Sequence, residues 1–229
     1  MKNRNSQILD GTMLKLIAMT SMVFDHAGDL FFHDQLWMRM VGRLAMPLFS
    51  FCIAEGYRYT KDRKKYLLRI GLFALISEIP FDLAFTGKID LSHQNIMLTF
   101  FLSILALMIS DRIRGDGKNT WKTILSYLVV LFTAILTLVV KADYTLFAVI
   151  AVFLFHIFEE KKHWIRCTAG VAFLALTRTM GYYCTTGLSI IPLLLYNGKK
   201  GKGFKWLFYL FYPGHLLLLY FIKTFLLRS

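Results

Sequence analysis

Apolar runs long enough to cross a bilayer recur along this chain, and no other feature narrows its fold as far. A crossing helix needs roughly 20 predominantly apolar residues. Nine segments approach that requirement: Leu14–Phe32, Leu36–Tyr57, Tyr66–Phe85, Asn95–Ser110, Trp121–Val140, Asp143–Phe158, Trp164–Thr177, Thr185–Tyr196 and Phe204–Leu227. The seventh and eighth are short and are interrupted by Arg178 and Gly181. Tilted short helices, one broken helix and a re-entrant segment are the alternatives there. Composition points the same way. With 56% apolar and 18% charged residues in a chain of 229, there is too much Leu, Ile and Phe for a soluble interior, and charge falls below the usual fraction of about 25%. The same figures exclude a disordered chain. The expectation is an all-α, polytopic transmembrane helical bundle of about eight or nine helices, forming one membrane domain over residues 1–229.

A net charge of +13 in a soluble protein would raise nucleic acid as a partner. In a membrane chain it first reports orientation, because Lys and Arg accumulate in cytoplasmic loops. Nineteen of the 27 basic residues fall in the N-terminal tail and in alternate loops, around residues 58–69, 112–122, 161–166 and 199–205. The intervening loops hold only Lys88, Lys141 and Arg178. This alternation predicts a cytoplasmic N-terminus and counts Thr185–Tyr196 as a crossing. A re-entrant loop there would put four lysines outside. Nine crossings leave the C-terminus outside, and eight remain the alternative.

The first segment has a basic start and an apolar core, as a signal peptide does. It lacks a small-x-small cleavage site, and Asp25-His26 interrupts its apolar stretch, so it reads as a retained helix. Cys52, Cys167 and Cys184 show no paired spacing; they give neither a disulfide framework nor a zinc site. No metal is expected.

Ionisable residues inside hydrocarbon are costly and mark function by default. At a helical rise of about 1.5 Å per residue, His26 and Arg43 both lie roughly 10 Å below the outer surface. Glu78 and Asp82 share a face in the outer half of the third span, as Arg39 and Arg43 do in the second. Asn95 and Asp143 open the fourth and sixth spans from the outside, and Asp25 adjoins His26. The acids, the histidine and the buried arginines therefore occupy one layer. Blander roles also fit: Arg39 snorkelling to the interface, Glu78 or Asp82 neutralising Arg43, and Glu55 and Lys15 marking the cytoplasmic boundary. His215 lies in mid-span beside Pro213 and Gly214, where a break in the helix frees backbone groups to line a cavity. Lys15 and His26 stand eleven residues apart, nearly three turns, and so project from one face. A channel along that face carries a cation at its cytoplasmic mouth and an imidazole toward the outside. This suits an elongated anionic donor. An imidazole beside a carboxylate can act as a general base or accept an acyl group.

The stretches LKLIAMTSMVFDHAGDLFF (14–32), LWMRMVGRLAMPLFSFCIAEGYRYTKDRKKYLLRI (36–70) and ALISEIPFDLAF (74–85) strongly resemble the TraX family. NIMLTFFL (95–102), DYTLFAVI (143–150), IPLLLYNGKKGKG (191–203) and FYLFYPGHLLLLYFI (208–222) follow its pattern in order. The resemblance implies a multi-pass acetyltransferase of the kind named for N-acetylating the N-terminus of conjugative pilin. It also implies a distant relation to membrane acyltransferases that take acetyl-CoA from the cytoplasm and use an intramembrane histidine of the first helix. Carried over by position, that histidine is His26, and Lys15 is the basic residue eleven before it. Arg39 and Arg43 match the arginines of the second helix, spaced one residue wider than the RxxR of the sugar acyltransferases, and His215 matches the histidine of the YPxH segment.

The expected reaction moves an acetyl group from cytoplasmic acetyl-CoA to an amine or hydroxyl, on a peptide N-terminus or a glycan, near the outer face. His26, oriented by Asp25 and assisted by Arg43, is the expected catalytic group. Lys15, Arg39 and His215 are expected to serve the donor, and Glu78, Asp82, Asn95 and Asp143 the acceptor, Glu78 or Asp82 alternatively orienting Arg43. Direct transfer and an acetyl-histidine intermediate are both open. The rivals are a proton-linked or anion transporter using the same polar layer, against which the absence of an inverted repeat counts, and a non-catalytic assembly factor of a surface appendage. The bilayer is the expected setting, and no nucleic acid is expected.

Overall fold

A computed structural model describes residues 7–177 and 181–226. Lys2, Arg4, Arg178, Leu227 and Arg228 of the sequence argument lie outside the described residues, as does the side chain of Cys184. The described chain is all-helical. Asp10 starts α1 (Gly11–Leu30) by accepting the amide hydrogens of Thr12 and Met13, both at 2.9 Å. Such a cap satisfies donors that the first helical turn leaves unpaired. Asp62, Asn95 and Asn119 do the same for α4 (Arg63–Thr86), α5 (Ile96–Arg114) and α6 (Thr120–Val139). Asp62 is solvent-exposed, and the Lys65 amide holds its carboxyl below the usual carboxylate range. Gly87 ends α4 at φ 74°, a left-handed turn that glycine adopts without penalty. Beyond α6 come α7 (Thr145–Ile157), α8 (His163–Thr177), a 3₁₀ stretch over Gly181–Ser189, α9 (Ile190–Leu194) and α10 (Lys205–Phe221).

The predicted second span is interrupted. It forms α2 (Leu36–Gly42) and α3 (Ala45–Tyr59), separated at Arg43-Leu44. Pro47 contributes to the break. It has no amide hydrogen for the Arg43 carbonyl, and its ring crowds that carbonyl four residues back; α4 and α10 continue through Pro80 and Pro213, so the proline favours the interruption without alone imposing it. In the first turn of a new helix, the same proline is tolerated.

Membrane residence shows in an inverted packing pattern. On α6, Trp121, Leu125, Leu128, Phe132, Ile135 and Val139 are exposed. Spaced three or four apart, they form one broad apolar stripe facing outward. The buried face of α6 instead carries Ser126, Thr133, Ala134 and Thr137, and it packs against α5, which buries Ser103, Ala106 and Ser110. Small residues let helices approach where lipid, as apolar as leucine, supplies no drive to bury leucine. The hydroxyls of Ser126, Thr133 and Thr137 bond carbonyls of their own helix and so are satisfied within it. Four described helical stretches are long and apolar enough to cross a membrane: Leu36–Tyr59, Ile96–Arg114, Thr120–Val139 and Trp206–Phe225.

The interrupted seventh and eighth segments resolve into a helical pair. His163, the first residue of α8, bonds through Nε2 to the Leu193 carbonyl near the end of α9 at 2.7 Å. At the other extremity, the Thr185 hydroxyl reaches the Met40 carbonyl of α2 at 2.9 Å. Residues 185–194 therefore run back antiparallel to α8. The segment after α9 turns under the start of α1: Leu9 bridges Tyr196, and the Gly11 amide donates to the Lys199 carbonyl at 2.8 Å. The lysine-rich loop is thus held at the same end of the bundle as Lys15, with α1, α3, α4, α5 and α10 around the interior.

Candidate functional site

The break after α2 places Arg43 beside α1. A Cβ on Gly42 would overlap Asp25, so glycine is what allows this approach. Arg43 pairs with the Asp25 carboxylate, and Arg39 reaches Asp25 and Asp29, each at 3.2 Å, and the Asp25 carbonyl at 2.8 Å. Asp25 and Arg43 are 8% and 5% exposed, and the pairing neutralises charges that burial would otherwise penalise heavily.

Asp25 is not placed to orient His26 as the sequence suggests. Successive residues on a helix point about 100° apart, and Asp25 is directed to the two arginines. The partner of His26 is His215: Nδ1 of His26 lies 2.9 Å from Nε2 of His215. Nδ1 of His215 in turn lies 2.8 Å from the Phe211 carbonyl, one helical turn back. The Phe85 ring meets His26 edge-on at 5.3 Å, and Phe211 stacks on His215 at 4.4 Å. His215 sits within an unbroken α10 despite Pro213 and Gly214.

Two cavities meet beside this pair. The outer one, about 420 Å³, is lined by His26, Asp25, Arg39, Arg43, Asp82 and Asp143, among others. The inner one, about 180 Å³, runs from Lys15, Lys200 and Lys202 past Cys52 and the rings of Tyr66 and Tyr209. Met22, Phe49, Ile96 and Phe100 border both. Lys15 holds its ammonium 4.8 Å from the centre of the Phe208 ring at the mouth of the inner cavity. The eleven-residue spacing therefore sets Lys15 in one cavity and His26 in the next.

The remaining expected residues separate. Asp82 and Asp143 line the outer cavity with His26. Asp82 is 1% exposed; one carboxylate oxygen accepts the Asp90 amide at 2.9 Å, and the other has no hydrogen-bond partner among the described residues. Outside the helices, Asp90 is itself held below the usual carboxylate range by hydrogen bonds from Ser92. Arg39 also lines the outer cavity, away from the lysine mouth where a donor's phosphates would sit. His215 is the partner of His26 and lines neither cavity. Asn95 is fully buried and structural: its side chain caps α5 and binds the Ala74 carbonyl and Glu78, locking α5 to α4. Glu78 thus engages Asn95.

Three features have no clear mark in the sequence. Glu55 and Arg166, which read there as boundary and loop charges, form a buried ion pair. The Tyr196 hydroxyl donates to the same Glu55 at 2.9 Å, and Arg166 also donates to the Phe155 carbonyl at 2.6 Å. Asp111 gathers Tyr57, Arg63, Arg114 and His156 at the same end of the bundle. Finally, Lys141, Tyr144 and Thr145 all have positive φ, at 51°, 55° and 42°. For a β-branched threonine this is a strained conformation. It lies where the loop that brings Asp143 and Tyr144 to the outer cavity enters α7, and strain of this kind clusters at functional sites. Among the described residues, no group of three His, Cys, Asp or Glu could hold a metal ion.

The family model described as TraX protein matches residues 10–223. The probable fimbrial assembly protein FimC, serogroup H1, of Dichelobacter nodosus is 33% identical over 242 aligned positions, covering 93% of this chain and 95% of that protein. An uncharacterized protein of Rickettsia prowazekii (strain Madrid E) is 30% identical over 90 residues, 39% of this chain and 33% of that protein. No solved structure matches.

Proposed function

The chain belongs to the TraX family, and from that premise we propose that it is a multi-pass acetyltransferase of the cytoplasmic membrane, taking acetyl groups from acetyl-CoA on the cytoplasmic side. The observation that carries this reading is the pair of abutting cavities, with three lysines at one mouth and His26 in the other chamber. By the excess of Lys and Arg in cytoplasmic loops, the lysine mouth faces the cytoplasm and the outer cavity faces the opposite side. A phosphate-bearing donor with a thin, mostly apolar arm suits an inner cavity whose mouth is cationic and whose walls are aromatic.

The donor supplies an activated thioester, and the chain's residues do the rest. Lys15, Lys200 and Lys202 hold the phosphates by charge-assisted hydrogen bonds. The apolar border of Met22, Phe49, Ile96 and Phe100 excludes water where the thioester would meet the acceptor. His26 removes the proton from the acceptor amine or hydroxyl as that atom bonds to the acetyl carbonyl. Arg43 stabilises the charge gathering on the carbonyl oxygen, an effect that is often a large part of catalysis. The carbon–sulfur bond then breaks, and the proton returns from His26 to the departing thiolate. Asp82 and Asp143 offer acceptor-binding carboxylates in the same chamber.

A relative named as a probable fimbrial assembly protein favours one second reading, a non-catalytic assembly factor. Protein reconstituted in vesicles with acetyl-labelled acetyl-CoA separates the readings. The expected result is label transferred to an added peptide amine or amino sugar, with coenzyme A released. Uptake of intact donor into the vesicles points to a transporter, and neither binding nor turnover leaves the assembly factor.

The lysine mouth gives a prediction of its own. Replacing Lys200 and Lys202 together with alanine should raise KM for acetyl-CoA about tenfold, equivalent to roughly 1.4 kcal/mol, and leave kcat nearly unchanged. With an acetyl thioester that lacks phosphates, the same double variant should match the parent. An equal loss with both donors would remove the phosphate-binding role.

A further inference from the structure

We propose that His215 is a positioning residue that fixes the tautomer of His26, so that His26 presents an unprotonated Nε2 to the outer cavity. The assignment follows from a chain of hydrogen bonds that, with both imidazoles neutral, runs in one direction. The Phe211 carbonyl can only accept, so the ring nitrogen facing it, Nδ1 of His215, carries hydrogen. A neutral imidazole has one donor and one acceptor, which makes Nε2 of His215 the acceptor. That atom lies 2.9 Å from Nδ1 of His26, and two acceptors do not bond. Nδ1 of His26 therefore donates, and its hydrogen leaves Nε2 with the lone pair. Nε2 occupies the side of the ring away from His215; His26 borders the outer cavity and His215 does not.

The setting holds this arrangement. Phe211 stacks on His215 within 5° of parallel, and Phe85 stands at 89° to His26, so neither ring turns freely. Asp25, the neighbouring carboxylate, is committed to Arg39 and Arg43. The orienting group of His26 is thus a neutral imidazole instead of a carboxylate. When His26 takes a proton at Nε2, its Nδ1–H bond to His215 persists without rearrangement. No carboxylate in the pair then retains the cation, so the proton is readily passed on to a leaving group.

The value of this tautomer to catalysis rests on the acetyltransferase reading; the tautomer itself does not. Nitrogen NMR of ¹⁵N-histidine-labelled protein in lipid nanodiscs, with His26 assigned by its loss in His26→Gln, reads it directly. The parent should show His26 as the neutral Nδ1–H form, and His215→Leu should lose that preference. In acetyl transfer, His215→Leu should lower kcat on the order of 10²-fold or more, with KM for acetyl-CoA unchanged. His215→Gln, whose amide oxygen can still accept from Nδ1–H, should recover most of that loss. An Nε2–H tautomer in the parent overturns the proposal, as does equal activity of the Leu and Gln variants. If the parent transfers no acetyl group, the enzyme reading fails while the NMR result still decides the tautomer. If His215→Leu does not fold, the parent spectrum and the Gln variant decide it.

Discussion

Replacing His26 with alanine is expected to abolish acetyl transfer in reconstituted protein, with kcat falling by at least ~10² as for the loss of a general base. Binding of coenzyme A should hardly change, because His26 lies in the outer cavity and Lys15, Lys200 and Lys202 lie at the mouth of the inner one. The separation of the two effects is the discriminating result. A transporter using His26 as a relay would lose uptake, and an assembly factor would show no turnover to lose. His26→Gln should be as inactive as His26→Ala, since an amide cannot accept a proton at neutral pH. Equilibrium binding of coenzyme A and single-turnover label transfer, measured on the same preparations, check both halves. Normal turnover in either variant would exclude His26 from the chemistry, whether it acts as base or as acetyl carrier.

The residues also show where sequence reading reaches and where it stops. A fixed rise per residue makes depth legible, which is why His26, Arg43, Asp82 and Asp143 fall into one layer on spacing alone, and why Lys15 and His26 fall along one face. Direction around a helix axis relative to a neighbouring helix is not legible in the same way. Asp25 adjoins His26 in the chain, yet it turns to Arg39 and Arg43, while the partner of His26 comes from a helix 189 positions away. Asn95 shares the layer too, but as the cap that begins α5. The break at Arg43 does have a signal in Pro47, four residues later, and Gly42 marks the contact with Asp25. Arg166 carries no such signal. A basic residue at the start of a span is usually interfacial, and nothing local betrays that Glu55, 111 positions earlier, reaches it.

That buried pair is the second place where a large effect is expected. Arg166 is 3% exposed and Glu55 8%. The guanidinium lies 4.7 Å from the centre of the Phe51 ring and also donates to the Phe155 carbonyl. Arg166→Met should destabilise the protein by about 3–5 kcal/mol, because it leaves the Glu55 carboxylate buried without its counter-charge. In a thermal melt in detergent this corresponds to a fall in Tm on the order of 10 °C. The double variant Glu55→Met/Arg166→Met should recover much of that loss, since two apolar side chains leave no charge unpaired. If the double variant melts as low as Arg166→Met, the stranded carboxylate is not the cause. The consequence should reach the donor site as well. Glu55 accepts the Tyr196 hydroxyl, Tyr196 bridges Leu9, and the next residues carry Lys200 and Lys202 to the inner mouth. Arg166→Met keeps the Tyr196–Glu55 hydrogen bond, whereas the double variant removes its acceptor. The double variant is therefore expected to be stable again yet weak for acetyl-CoA, with KM raised and kcat preserved.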